Sequence, residues 1–571
     1  MNFFRALDTA YRQLADHARM VTVCLNDGLL PDSAPKMRNV LRKSFQIMRD
    51  KFDITEAQNC ADLMYELSLS VSDTLKFHYK DDSNRQDIIR SVMDFESEHL
   101  RSQMILESKA MKNLMKKAPK VAKVIDVSEA SHVLDVFKLL ERGGKTGIIN
   151  GALTGDLAYK IIDSLGVGIA QLKRICDLYG VQLDDEALAK KKDEVKSNSK
   201  YKTALSHISQ IDIDSDIPAT DDHWKYHYRK SEATKYSFPL VQADLLKVID
   251  LDNDKKAVLL SSTCCYGEAG GQEGDQGTIL GLDGQTLFNI SDTQLSENGH
   301  VWHIGTVALG RQLIEKSRVK VKFDINRRIK LMQNHTGTHL LNGVLRKMFK
   351  YASQKSSHIH ANGFKFEFTA LDATIDASTV TKIEEMVNSY INMGASVDQI
   401  TVDNPEASFE NDTSLEEMLT EEFPNKSVIT MPEETYPGDV TVISLPDFLE
   451  PCCGTHVLDT ADVQAFVITA VRSTHPGQKS LKCLTGKKAL DAREAGLELI
   501  EAMININEQL ASANTEEAFE NIRTTVKLLL KKSKDGNNLP FAVRTESAQI
   551  LNELSSHVSS LIKSPKSKKN G

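Results

Sequence analysis

The chain carries two kinds of hydrophobic pattern in succession. Over residues 2–26, Phe4, Leu7, Tyr11, Leu14, Ala18, Val21 and Leu25 recur at three- and four-residue steps, the period of one helix face, and Gly28 and Pro31 end the run. The period continues through NVLRKSFQIMRDKF, DLMYELSLSVSDTLKF, SEHLRSQMILESKAMKNLMKKA and GDLAYKIIDSLGVGIAQLKRICDLYG, so residues 1–190 are expected to be helical. KKKDEVKSNSK and QIDIDSDIPATDDHW are charged and polar, which makes 191–228 a linker. The pattern then changes. LLKVIDL, KAVLLSST, GTILGL and VKVKFDI are short β-like runs between turn-forming residues, giving a small β-barrel-like unit at 229–325. In 326–486, helical HTGTHLLNGVLRKMF and TKIEEMVNSYINMG mix with strand-like FKFEF, DVTVISL and VQAFVITAV, an α+β unit. Residues 487–571 are helical again and end in the basic KSPKSKKNG. The expected class is α+β, multidomain, without internal repeats.

Composition changes this picture little. At 571 residues, with 41% hydrophobic and 26% charged positions, the chain has the make-up of an ordinary globular protein. No apolar run approaches the roughly eighteen residues a membrane span needs, and the first twenty residues resemble neither a secretory signal nor a transit peptide. A net charge of -9 argues against nonspecific nucleic-acid binding, and DNA in particular, by the whole chain, while leaving room for local basic surfaces. The eight cysteines include two adjacent pairs, 264–265 and 452–453, which suit free thiols or a metal site better than disulfides.

Candidate chemistry concentrates in three places. NHTGTHLLNGVLRK (334–347) holds His335 and His339 four residues apart, on one face of a helix. A zinc peptidase would need glutamate after the first histidine, and Thr336 stands there. EPCCGTHVLD adds Cys452 and His456, again four apart, in a turn. Together the four form an N₃S set suited to zinc, with Cys453 an alternative thiol that spacing does not separate from Cys452. YGEAGGQEGDQG sets Gly270 and Gly271 beside Gln272 in a loop where the backbone can approach a ligand closely. RGGKTG (142–147) lacks the first glycine of a phosphate-binding loop, with Leu139 in its place, and reads as a surface turn.

These motifs, in this order, resemble the alanyl-tRNA synthetase family. NHTGTHLLN, YASQKSSH, FKFEF and CCGTHVLDT resemble its editing domain, and GEAGGQEGDQGTI its preceding glycine-rich loop. YRQLADHARMVTVCLNDGLLPDS and LTGDLAYKIIDSLGV are similar to its helical tRNA-recognition part. The resemblance implies one Zn²⁺ held by His335, His339, Cys452 and His456, and an editing pocket with Gln354 and Gln272 as catalytic residues and Gly270 and Gly271 along its substrate-binding border. It implies recognition of tRNA-Ala through Ser33, where the family usually has Asn, and Asp163, with Lys479 as a further RNA contact. The implied reaction is hydrolysis of Ser-tRNA-Ala or Gly-tRNA-Ala, zinc polarising the water or holding the aminoacyl group.

The chain also departs from the family. None of the three class II motifs is found, so ATP is expected only for an aminoacylation core this sequence does not contain. The arginine pair of the family's G-x-R-R-I reads GQKSL, with Lys479 and Ser480 in place of arginines that hold phosphate in a planar fork. CCGTH and VTVCLNDG resemble the mitochondrial branch, which makes an N-terminally incomplete enzyme of the mitochondrial matrix the leading expectation and the cytoplasm the alternative. The rival expectations are a non-catalytic tRNA-binding paralogue with structural zinc and a free-standing trans-editing factor.

Overall fold

The computed structural model describes residues 2–27, 29, 35–77, 83–125, 130–143, 147–149, 151–165, 168–198, 217–231, 236–251, 254–349, 351–370, 374–405, 414–431, 436–475, 478–535 and 538–563. They belong to two compact units, Met1–Asp212 and Ile213–Gly571. Ser33 and residues 144–146 of RGGKTG lie outside the described residues.

The first unit is built from helices α1 (Asn2–Asn26), α2 (Pro35–Phe52), α3 (Ala57–Thr74), α4 (Ser83–Lys117), α5 (Pro119–Ala122), α6 (Ala130–Gly143), α7 (Gly155–Leu165), α8 (Ile169–Leu178) and α9 (Asp185–Asn198). The two-residue strands β1 (Ile148–Ile149), β2 (Ala152–Leu153) and β3 (Gln182–Leu183) form a small sheet beside them. The buried stripe of α1 is Ala10, Leu14, Ala18, Val21 and Leu25. Tyr11, expected on that stripe, is 58% exposed and meets Phe52 edge-on at 4.8 Å. Glu96 on α4 is buried because Arg38 and Arg42 of α2 each donate to one of its oxygens at 3.0 Å. Asp163 falls on α7, its side chain outside the described set. The run expected to begin the linker is helical as far as Asn198, since Asp184 caps α9 at Ala187 N and Lys191 pairs with Asp156 at 2.7 Å.

In the second unit, a 3₁₀ turn at His223–Tyr226 and the short pair β4 (Arg229–Lys230) and β5 (Tyr236–Ser237) precede a closed barrel. The barrel strands are β6 (Val241–Asp250), β7 (Lys256–Leu260), β8 (Gly277–Leu280), β9 (Thr286–Leu295), β10 (Val301–Val307) and β11 (Arg318–Phe323), in the order β10-β7-β6-β11-β8-β9. β9 and β10 were not expected from sequence. β9 carries Asn289, Ser291, Asp292 and Thr293 among its apolar residues, and β10 holds His303 and Gly305, so neither shows a clean alternation.

Helix α10 (Ile325–Met348) follows directly and is the axis of the α+β part. Positions 331–345 are buried on every side, not only along the one face that a helical period suggests. Around it lie the sheet β12-β13-β19-β18 and the sheet β14-β16-β17-β15. Their strands are β12 (Ser353–His360), β13 (Gly363–Thr369), β14 (Asp398–Asp403), β15 (Ser427–Val428), β16 (Asp439–Ser444), β17 (Phe448–Pro451), β18 (Phe466–His475) and β19 (Gln478–Thr485). Helices α11 (Ala377–Met393) and α12 (Leu415–Glu422) interrupt them, and α13 (Gly486–Ser512), α14 (Glu516–Asp535) and α15 (Phe541–Lys563) pack together at the end around Leu499, Ile522, Val526, Leu551 and Val558.

Candidate metal centre

α10 starts where Asp324 accepts a hydrogen bond from Arg327 N, an N-cap, and its next turn is tied to the barrel. Arg328, fully buried, donates through Nε to both oxygens of Asp275 and through Nη2 to Cys264 O at 3.0 Å. Asp275 closes the glycine-rich loop by accepting from Tyr266 N at 2.8 Å. The loop in turn pairs with β12, Gly271 O accepting from Ile359 N at 2.7 Å and Glu273 N donating to Ile359 O at 3.0 Å. Gly271 has φ +79°, and a Cβ there would sit 2.3 Å from Ser357 O, so only glycine allows this approach.

Nearly three turns into α10, the rings of His335 and His339 stack at 5.1 Å with 11° between their planes. The chain leaves β17 and brings Cys452 and His456 against them, with the His456 ring 4.6 Å from that of His335 and 5.1 Å from that of His339. One donor atom from each of the four residues lies within 4.8 Å of the other three. Tetrahedral zinc, with bonds of roughly 2.0–2.3 Å, spaces its ligand atoms about 3.3–3.8 Å apart, so the cluster needs only a slight contraction.

Each imidazole is aimed by what holds its far nitrogen. His335 Nδ1 meets Gln272 Oε1 at 2.7 Å, His339 Nδ1 meets Glu450 Oε2 at 2.7 Å, and His456 Nδ1 faces Thr336 Oγ1 at 3.4 Å. This leaves the three Nε2 atoms turned to the centre, where those of His339 and His456 are buried without a hydrogen-bond partner among the described residues. Two orphaned buried nitrogens beside a thiol, each backed by an acceptor or hydroxyl, fit a metal ion and are costly without one. The Cys452 thiol is opposed by burial but held well below its usual range by His335, His339 and His456, so it is poised as a thiolate. Burial lowers His339 while Glu450 and Cys452 raise it, to about 10, and burial takes His456 down to about 3.

The fold also separates the two thiols. Cys452 Sγ is 3.4 Å from His335 Nε2 and accepts from Gly454 N at 3.3 Å. Cys453 turns outward, exposed, with Sγ 4.0 Å from the Tyr266 hydroxyl. Tyr226 donates to Cys453 O at 2.5 Å and Tyr228 to His456 O at 2.6 Å, so two tyrosines from the segment expected to be linker hold this turn in place. Neither they nor Glu450 carried a sequence signal. Their importance lies in contacts to residues more than a hundred positions away.

Gln272 is fully buried behind His335, its amide also bonded to Thr455. It therefore orients the His335 ring. Gly270, with φ +54°, lies over Cys453 Sγ. Gln354 is on β12, opposite Phe368, with Oε1 buried and without a partner among the described residues. No hydrogen bond among the described residues joins Gln354 to the cluster. Lys479 on β19 is half-buried and donates to Ser473 Oγ at 3.0 Å.

Comparison with known proteins places these elements. The family described as tRNA synthetases class II (A) matches residues 4–140 and 136–327. The threonyl and alanyl tRNA synthetase second additional domain matches 440–485, which includes Cys452 and His456. The chain is 25% identical over 532 residues to the mitochondrial alanine–tRNA ligase of Drosophila melanogaster, covering 85% of this chain and 50% of that protein. It is 23% identical to the alanine–tRNA ligase of Ligilactobacillus salivarius, over 91% of this chain and 54% of the relative, and 25% identical to the mitochondrial alanine–tRNA ligase of Saccharomyces cerevisiae, over 85% and 47%. The chain thus spans about half the length of the curated relatives it matches.

Proposed function

The chain belongs to the class II (A) tRNA synthetase family, in its alanyl group, and on that premise we propose that it binds tRNA-Ala and hydrolyses the ester of Ser-tRNA-Ala or Gly-tRNA-Ala at a zinc centre. The observation that carries the reading is the convergence of His335, His339, Cys452 and His456, with orphaned Nε2 atoms, in the segment similar to the second additional domain.

When bound, zinc would supply Lewis-acid polarisation at the scissile ester. The chain's own residues do the rest. Gln272 and Glu450 keep the Nδ1 protons of His335 and His339 away from the centre. Asn342 Nδ2 donates to the other oxygen of Glu450 at 3.0 Å and fixes the carboxylate. Tyr226 and Tyr228 hold the Cys452–His456 turn against α10. Gln354 Oε1, lacking a partner among the described residues, is suited to accept from a serine hydroxyl, and a site built to bond that hydroxyl penalises alanine. The mitochondrial relatives support a mitochondrial setting.

One observation favours a second reading. Four protein donors complete a tetrahedron, the pattern of structural zinc, whereas catalytic zinc generally keeps one position open. The chain would then bind tRNA-Ala without turnover. The deciding experiment is deacylation of Ser-tRNA-Ala, with zinc content measured on the same preparations of wild type, His335→Ala and Cys452→Ala. We expect turnover and zinc to fall together in both variants. A wild type that holds zinc and tRNA but never turns over selects the structural reading, and full activity in either variant refutes the assignment.

A further inference from the structure

The sheet β12-β13-β19-β18 has two chemically opposed faces. On one, Phe364, Phe366 and Phe368 of β13 and Leu481 and Cys483 of β19 are buried in the core that contains α10. The alternate positions point the other way. There Lys365 is directly opposite Lys482, and Ser480 is directly opposite Arg472. Like charges facing across a ladder destabilise it, and Glu367 offsets only the Lys365 half of this pair.

α13 covers one end of this face through Ala489 and Ala492, packed on Ala465, Val467 and Leu484. The rest is a cleft of about 990 Å³ whose charged lining is Arg327, Lys365, Arg472, Lys482 and Lys488 against Glu273 and Asp491. Both carboxylates are already engaged, Glu273 by Arg327 and His360, and Asp491 by Lys487. Lys365 pairs with Glu367 on its own strand. Arg472 and Lys482 are exposed and have no carboxylate partner among the described residues. This local excess runs against the net charge of -9 on the chain.

We propose that this cleft docks the phosphodiester backbone of an RNA strand, with Arg472 and Lys482 as its central phosphate contacts. The inference rests on the reading of the chain as a tRNA-binding protein. The cleft is too large for a lone phosphate, and of the two rings in its lining Phe364 is only 2% exposed and His360 is tied to Glu273 at 2.7 Å. It therefore offers more charge than stacking surface, which suits backbone contacts over base contacts. Arg472 places a planar donor fork across the ladder from Ser480, a geometry suited to a phosphate.

The test is fluorescence anisotropy of labelled tRNA-Ala with the full chain across a salt series. Wild type is compared with Arg472→Ala/Lys482→Ala and with Arg318→Ala/Lys322→Ala on the barrel, with circular dichroism to check folding. The cleft variant should weaken binding about tenfold or more and make the log–log salt slope shallower by about 1.5, as two lost phosphate contacts require. In Ser-tRNA-Ala hydrolysis it should raise KM while keeping kcat and zinc content. Unchanged affinity and slope, or an equal loss in the barrel control, overturns the proposal. If the cleft variant binds normally while His335→Ala loses hydrolysis, the cleft fails and the editing reading stands. If binding falls as expected but wild type never hydrolyses the ester, the cleft stands and the editing reading fails.

Discussion

Gly454→Ala is the smallest change that should empty the metal centre. A Cβ at position 454 would lie 2.0 Å from His335 Cε1 and 2.2 Å from Nδ1. Ordinary carbon contacts begin near 3.5 Å, so ring and backbone must separate by more than 1 Å. The ring has little freedom to yield, because Nδ1 is held by Gln272 at 2.7 Å and its face is stacked on His339. The loop is no freer, since Gly454 O accepts from Gln399 and its N donates to Cys452 Sγ. Metal ligands tolerate displacements of only about 0.2 Å, so the added methyl removes His335 from the set or carries Cys452 away with the turn. Overpacking of this kind costs about 1–3 kcal/mol, which a domain can survive folded. We therefore expect a folded chain whose zinc affinity falls at least 100-fold, beyond what loss of an outer hydrogen-bond partner produces. Zinc stoichiometry by mass spectrometry, chelator competition and Ser-tRNA-Ala hydrolysis would measure it, with Gly168→Ala, where nothing lies within 4 Å, as control. Stoichiometric zinc at wild-type affinity in Gly454→Ala would show that the side-chain placement at this centre is wrong.

Other expectations follow from the same contacts. Cys453→Ser should keep zinc whereas Cys452→Ser should lose it, and the reverse result in a metal titration would exchange their roles. Glu450→Gln, which weakens the acceptor behind His339, should lower zinc affinity about 10–100-fold and leave the fold intact by circular dichroism. Breaking the buried Arg328–Asp275 pair by Asp275→Asn should cost about 3–5 kcal/mol in denaturant titrations, because the arginine is left without its counter-charge; a loss under 1 kcal/mol would contradict the burial. His303, buried in the barrel between Thr263 Oγ1 and Val258 O, has its pKa taken down to about 4 by desolvation. Its folded value lies below the unfolded one, so the penalty begins as pH falls through about 6.5 and reaches about 3 kcal/mol near pH 4. His303→Gln should flatten the loss of stability between pH 7 and 4, and identical slopes would refute this.

Much of the site was legible in the chain. The i, i+4 spacing of His335 and His339 needs only that the segment be helical, and the CCGTH turn names its remaining donors. The helical first unit followed from a period that every turn repeats, and Tyr11 strayed because a period cannot say how wide the buried stripe is. β9 and β10 escaped because a barrel wall is packed by its neighbours, so polar residues such as His303 sit inside once partnered. The bond from Gln272 to His335 was not legible, because a glycine-rich loop says where backbone can bend and not which way the one amide among the glycines will point.

By itself, then, the sequence determined the donor types, their pairing along the chain, the order of the units and the family. Local periods and turn chemistry act within a few residues and are written directly in the string. Only the tertiary structure decided that Cys452 and not Cys453 meets the histidines, that Glu450, Tyr226 and Tyr228 support them, and that Arg472 and Lys482 share one open face. The reason is distance along the chain. Sixty-three residues separate Gln272 from His335 and 228 separate Tyr228 from His456, and contacts of that span arise when barrel, helix and sheet pack together.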